Sequence, residues 1–156
     1  MPLTFQPIKY EKLNGKQKEA YNLQKVSSVL ADLGFITIRM TSDWGGADFI
    51  AQHIDGQFLK VQLKSRLTFA EAYSKQGLYI CFGERNPDRW YLYPHDEMLA
   101  QNLNKRCIGA KFWDRHSDYS NGKPSKEQRA LLEPYELKPG YAITLPTPNM
   151  IEHPAR

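Results

Sequence analysis

The chain has 156 residues, 41% hydrophobic and 24% charged, with a formal net charge of +4. That length suits one domain with a buried core, and the composition excludes a disordered, fibrous or disulfide-scaffold chain. No apolar run approaches bilayer-spanning length and no signal-type apolar segment opens the chain, so a soluble, cytoplasmic protein without a membrane partner is expected. The modest positive charge favours an acidic partner such as nucleic acid.

Residues 1–13 read as an N-terminal arm. Asn14 then caps a helix, with Gln17 as its capping-box partner, and the helix is predicted to run from Gly15 to Leu33 and to stop at Gly34. Leu23, Val26, Leu30 and Leu33 fall at spacings of three and four and form one apolar stripe. One turn before Leu23 that stripe meets Glu19. A carboxylate there either faces a site or sits solvated near the helix start, favoured by the helix dipole.

The β-branched run 35–40 predicts a strand, and TSDWGG a loop. Residues 47–54 and 57–65 predict a hairpin around Asp55-Gly56. Residues 67–77 are a short helix or an irregular crossover. Runs 78–83 and 90–93 predict a second hairpin. HDEMLAQNL predicts a helix capped by His95 or Asp96. KRCIGAKFW adds one more strand, 116–125 a loop, and 125–132 a helix. YAITL then predicts an edge strand. Helix, three strands, connection and strand together predict an α/β sandwich on a mixed sheet. Cys81 and Cys107 have no zinc-like spacing, and Cys81 reads as a small buried hydrophobe. The four histidines suggest no catalytic dyad or triad.

The polar residues of the first hairpin carry the chemistry. Gln62 and Lys64 share a strand face. A two-residue turn at Asp55-Gly56 would set Asp48 opposite Leu63. A three-residue loop, 54–56, with Gly56 left-handed, sets Asp48 opposite Gln62 and keeps Phe49, Val61 and Leu63 together on the other face. The second register is chosen. It gathers a carboxylate, an amide and an ammonium. The carboxylate and neutral oxygens, with the Leu63 carbonyl between Gln62 and Lys64, suit Mg²⁺. Lys64 suits a phosphate oxygen or an attacking water. These are the parts needed to hydrolyse a phosphodiester.

Asp48 followed by Gln62-Leu63-Lys64 on the neighbouring strand, after a helix carrying Glu19, resembles the PD-(D/E)XK nuclease superfamily. The resemblance spans roughly residues 15–93. It implies a restriction-endonuclease-like αβββαβ core with a mixed central sheet flanked by helices, and Mg²⁺-dependent cleavage of DNA with Mn²⁺ as substitute. It implies metal ligation by Asp48 and the residue at 62, here Gln62, beside the Leu63 carbonyl read above, a catalytic role for Lys64, and a place in the site for Glu19 as a further metal ligand. Two positions depart from the motif. Ala47 stands where the superfamily's name has proline, and Gln62 where it has Asp or Glu, a variant found in some homing endonucleases.

Residues 1–104 are accordingly expected to form a nuclease core with its arm, and 105–156 a basic extension packed on the same domain. Lys60 and Arg66 flank the motif as candidate DNA contacts. Lys105, Arg106, Lys111, Arg115 and Lys123, interleaved with Phe112, Trp113 and Tyr119, are further candidates, and the same pattern also describes a solvated basic surface over a small subcore. No nucleotide cofactor is expected, because no glycine-rich phosphate loop is present. Asp43 is weighed as a further acid and set aside. The rival readings are an inactive nucleic-acid-binding domain of the same fold, a structure-specific resolvase or RNA nuclease, and a small domain with an incidental Asp48–Lys64 salt bridge. Cutting both strands of a duplex needs two active sites, so a homodimer is expected.

Overall fold

The structure, a computed structural model, describes residues 1–85 and 88–147, with only the backbone described at Asp43 and Trp44. The expectations for Asp43's side chain, for His153 and for the end of the tail lie outside the described residues.

Helix α1, Gly15–Ala31, starts at the predicted capping box: Asn14 Oδ1 accepts from Gln17 N–H, and Gln17 Oε1 accepts from Asn14 N–H, both at 2.9 Å. It ends as Gly34 takes φ +86°, a conformation open to glycine at little cost. Strands β1 (Phe35–Trp44), β2 (Ala47–His53), β3 (Phe58–Lys64), β5 (Leu78–Glu84) and β6 (Arg89–Pro94) form one sheet in that spatial order. Only β3 and β5 run parallel, so the sheet is mixed. Strand β4 (Leu67–Ala70) pairs instead with β7 (Asp118–Asn121) in a small second sheet.

Helix α1 covers one face of the large sheet. Val26 and Leu30 are fully buried there with Phe49, Ala51, Val61, Cys81 and Leu92. Helices α2 (His95–Asn104) and α4 (Lys126–Leu132) serve the other face, where Met98, Leu99 and Leu132 pack with Ile80, Phe82 and Tyr93. Ile108 and Leu132, from the C-terminal third, share that core with the strands. A mixed α/β sheet flanked by helices is therefore the observed architecture, as expected.

Several elements differ from expectation. The loop 41–44 continues β1, although the pairing with β2 shifts register between Arg39 and Trp44. The crossover from β3 to β5 is not an α-helix but β4 plus a 3-10 turn at Glu71–Tyr73, because the edge offered by β7 pairs β4 instead. Helix α2 is capped by neither His95 nor Asp96. Pro94 is its N-cap, while the buried His95 accepts from Ala70 N–H through Nε2 at 3.1 Å and bonds Asp96 through Nδ1. The predicted strand 105–113 is instead α3, Ala110–His116, and the predicted loop holds β7. YAITL forms no strand, and its neighbour Pro146 is held by the Tyr79 hydroxyl through a carbonyl at 2.8 Å.

Candidate active site

The hairpin register decides where the polar residues meet. Phe49 pairs with Val61 and Gln52 with Phe58, which sets Asp48 opposite Gln62. The loop is 54–56, closed by His53 N–H to the Gln57 carbonyl at 2.7 Å, with Gly56 at φ +97°. This is the three-residue register chosen from the sequence. Hydrogen-bonded pairs alternate along an antiparallel ladder, so Leu63 should next exchange bonds with Ala47. Instead the Leu63 N–H donates to Asp48 Oδ2 at 2.9 Å. The carboxylate thus takes a place that backbone would fill, at the point where β2 and β3 part. The Leu63 carbonyl leaves the same edge of β3.

A cavity of about 360 Å³ opens here, lined by Glu19 and Asn22 of α1, Arg39 of β1, Asp48, Leu63 and Lys64. The cause is visible in the sequence: the α1 stripe that packs on Phe49 through Val26 and Leu30 reaches Glu19 one turn beyond Leu23, where the sheet no longer fills the space. Burial pushes the Asp48 carboxyl above the usual value of 3.8, and the Glu19 carboxylate adds to the rise. The Leu63 N–H, Lys64 and Arg39 oppose it. No ion pair within 4.0 Å joins Asp48 and Lys64 among the described residues, so the incidental salt bridge considered from the sequence is not the arrangement found. The Lys64 ammonium stands over the Tyr73 ring, 5.5 Å from its centroid. That ring also lies against Gly46 at φ +82°, where an added Cβ would sit 3.0 Å from Tyr73 Cδ1. The glycine therefore makes room for an aromatic ring.

Gln62 is partly buried, in register with Ile80 of β5, and is not among the residues lining the cavity. Among the described residues no three His, Cys, Asp or Glu side chains gather as a metal cluster. A bound ion would draw instead on Asp48, the Leu63 carbonyl, Glu19 or Gln62 and water. Those donors are all oxygens, and two carboxylates that repel each other across a cavity present the field that a hard cation relieves. The residues fit Mg²⁺.

The candidate DNA contacts divide. Lys123 lines a second cavity, of about 420 Å³, that shares Tyr10, Asn22, Lys64 and Ser65 with the first. Arg66 stands beside it, its Nε donating to Ser120 Oγ at 3.3 Å and its guanidinium against Gly122. Lys60 lines a separate apolar cavity under the hairpin. Lys105, Arg106, Lys111 and Arg115 are exposed and line none of these cavities. Sequence reasoning missed Tyr10, Asn22, Arg39 and Arg85, which line the two adjoining cavities, and took Arg129, which lines the second, only as one charge of the basic segment. Asn22 carried a usable signal, lying close to one turn beyond Glu19 on α1. The others reach the site only through tertiary packing.

No family model matches the chain, and no curated protein matches it. Among solved structures, the chain is similar to a Holliday junction resolvase of the archaeal hyperthermophile Archaeoglobus fulgidus, at 17% identity and a TM-score of 0.39, over 48% of this chain and 76% of that one. No helix among the described residues is long and apolar enough to cross a membrane.

Proposed function

We propose that the chain is a metal-dependent endonuclease that hydrolyses DNA phosphodiester bonds at the cavity between α1 and the parting strands β2 and β3. The observation that carries this reading is the Asp48 carboxylate, fixed by the Leu63 N–H at 2.9 Å, in one cavity with Glu19 and Lys64. The sequence resemblance to PD-(D/E)XK nucleases supports the same roles.

Asp48, the Leu63 carbonyl and Glu19 would hold Mg²⁺, or Mn²⁺ in its place, and Gln62 would join them only by turning its side chain into the cavity. When bound, the ion supplies Lewis-acid polarisation of the scissile phosphate. Lys64 stabilises charge developing on the phosphoryl oxygens and orients the attacking water, in a site whose dipoles are fixed before reaction. Asp48 is held in place by its backbone bond, so it need not reorganise when substrate arrives. Glu19 orients a water on the helix side. Duplex cleavage would use a homodimer, one site for each strand.

Gln62, absent from the cavity lining, favours a second reading: a non-cleaving nucleic-acid-binding domain of the same architecture. The deciding experiment incubates supercoiled plasmid and a pool of linear, branched, single-stranded DNA and RNA with Mg²⁺, Mn²⁺ or EDTA. Metal-dependent cutting that is lost in Lys64→Ala is the expected result, and the substrate cut separates restriction-like, resolvase and RNA-nuclease activity. Binding without cutting, indifferent to Lys64→Ala, would establish the second reading.

A further inference from the structure

The cavity adjoining the candidate active site is more basic than the site itself. Lys64, Arg85, Lys123 and Arg129 line it, with Glu84 as its one acid. Glu84 is already engaged: Arg129 donates to both of its carboxylate oxygens at 2.8 Å. The charge of Lys64, Arg85 and Lys123 is thus left facing a cavity whose other walls are Tyr10, Asn22, Ser65, Gly83, Trp90 and Gly122.

Among the described residues Arg85 has one weak ion pair, and other contacts hold it in place. Its guanidinium lies 3.7 Å from the Tyr10 ring centroid and 5.0 Å from that of Tyr21, and it donates to Asn22 Oδ1. Asn22 in turn donates to the Tyr10 hydroxyl at 3.0 Å. Asp88 lies 3.6 Å away and is half exposed, a pair that water screens strongly. A guanidinium has five N–H donors in a rigid fork, and these partners occupy few of them. Its plane is set by two rings and an amide in the lining of a cavity that shares Tyr10, Asn22, Lys64 and Ser65 with the cavity of Asp48.

We infer that this cavity is a subsite for the phosphate next to the one cut, with Arg85 and Lys123 of its lining as the ligands. The ligand class is a phosphodiester of the same nucleic-acid strand, and the inference rests on the nuclease reading only for which strand that is. Lys64 lies in both cavities and marks where the strand passes from one to the other.

The test is binding of a fluorescent DNA oligonucleotide to the full chain in EDTA, from 50 to 200 mM salt. Cleavage is silent there, so a failed nuclease reading leaves the result interpretable. Each lost phosphate contact should reduce the slope of log affinity against log salt by about 0.9, so Arg85→Gln and Lys123→Gln should each lose about 3-fold of the wild type's salt sensitivity over that range. A neutral methylphosphonate, scanned along the strand, should weaken wild type at one position and weaken Arg85→Gln less there, since Lys123 remains. Arg85→Lys keeps the charge and should keep the slope even where it lowers thermal stability. Unchanged slopes in folded Arg85→Gln and Lys123→Gln, equal methylphosphonate penalties in wild type and variant, or no binding by wild type at 50 mM salt would overturn the subsite.

Discussion

Asp48 can lose its charge in two ways, and the structure gives them different costs. Alanine removes the acceptor of the Leu63 N–H, where no ladder partner replaces it. Leaving such a donor unsatisfied costs about 1–3 kcal/mol. Leu63 is only partly buried, which places Asp48→Ala in the lower part, about 1–2 kcal/mol. For a chain of this size that is a fall in Tm of about 2–8 °C. Asparagine keeps an oxygen for Leu63 and removes the charge that burial disfavours, so its stability should stay within about 1 kcal/mol of wild type. Both variants should reduce metal-dependent cleavage to background. Acid conditions add a sign. Burial sets Asp48's folded-state pKa above 3.8, so between 3.8 and that value the folded chain holds a proton the unfolded chain has released. Wild type should therefore gain stability relative to Asp48→Asn as pH falls through that window, and lose it again as pH rises. Urea melts from pH 3 to 7 would measure this. An Asp48→Ala as stable as wild type, or a difference that moves the other way with pH, would refute the account of Asp48 as a buried carboxylate standing in for backbone.

Gly83→Ala should destabilise by about 1–3 kcal/mol, because its Cβ would lie 2.4 Å from Trp90 Cζ3 in a nearly buried ring; a thermal-melt cycle with Trp90→Leu should show the two costs to be less than additive. Glu19→Gln should shift the acid limb of the cleavage pH profile downward, since Glu19 helps to raise Asp48, and an unmoved limb would mean the two carboxylates are uncoupled. Arg129→Gln should cost about 0.5–1 kcal/mol at pH 7 by denaturant titration, for a pair partly open to solvent. Arg129 holds the Glu84 carboxyl below 4.5, so that stabilisation is complete above 4.5 and is lost as pH falls through the lowered value; the variant and wild type should converge there.

Local chemistry in the sequence predicted what local chemistry controls. The Asn14–Gln17 capping box and Gly34 bound α1 within a few residues. The Asp55-Gly56 pair and the alternation of apolar residues on both strands specify a three-residue loop, and with it Asp48 opposite Gln62. What was illegible depends on distant partners. Strand β7 is four residues, Asp118 and Ser120 exposed and Tyr119 and Asn121 half-buried, and β4's edge and the packing of Tyr119 on Phe69 make it a strand. Segment 105–113 has a mixed pattern that fits a strand on paper, yet Gly109 opens a helix whose Trp113 packs on the core. The basic segment looked uniform along the chain, but folding carries Lys123 to the cleft and leaves Lys105, Arg106, Lys111 and Arg115 away from it. Arg85 lies in a turn with no motif around it, and its placement depends on Tyr10, 75 positions earlier.

The two ends of β3 differ sharply in their tolerance of extra chain. At its start, Ile54 is 82% exposed and nothing lies within 4 Å of a Cβ built at Gly56, so a peptide inserted there would extend into solvent. At its finish only Ser65 and Arg66 separate Lys64 from the fully buried Leu67, and β4 is paired at once to β7. Lengthening that two-residue span would free Lys64 from one of its anchors while leaving Asp48 in place. The hairpin tip is thus the place to graft a tag or a second module, and the 65–66 step is the place where an added residue would cost the most geometry.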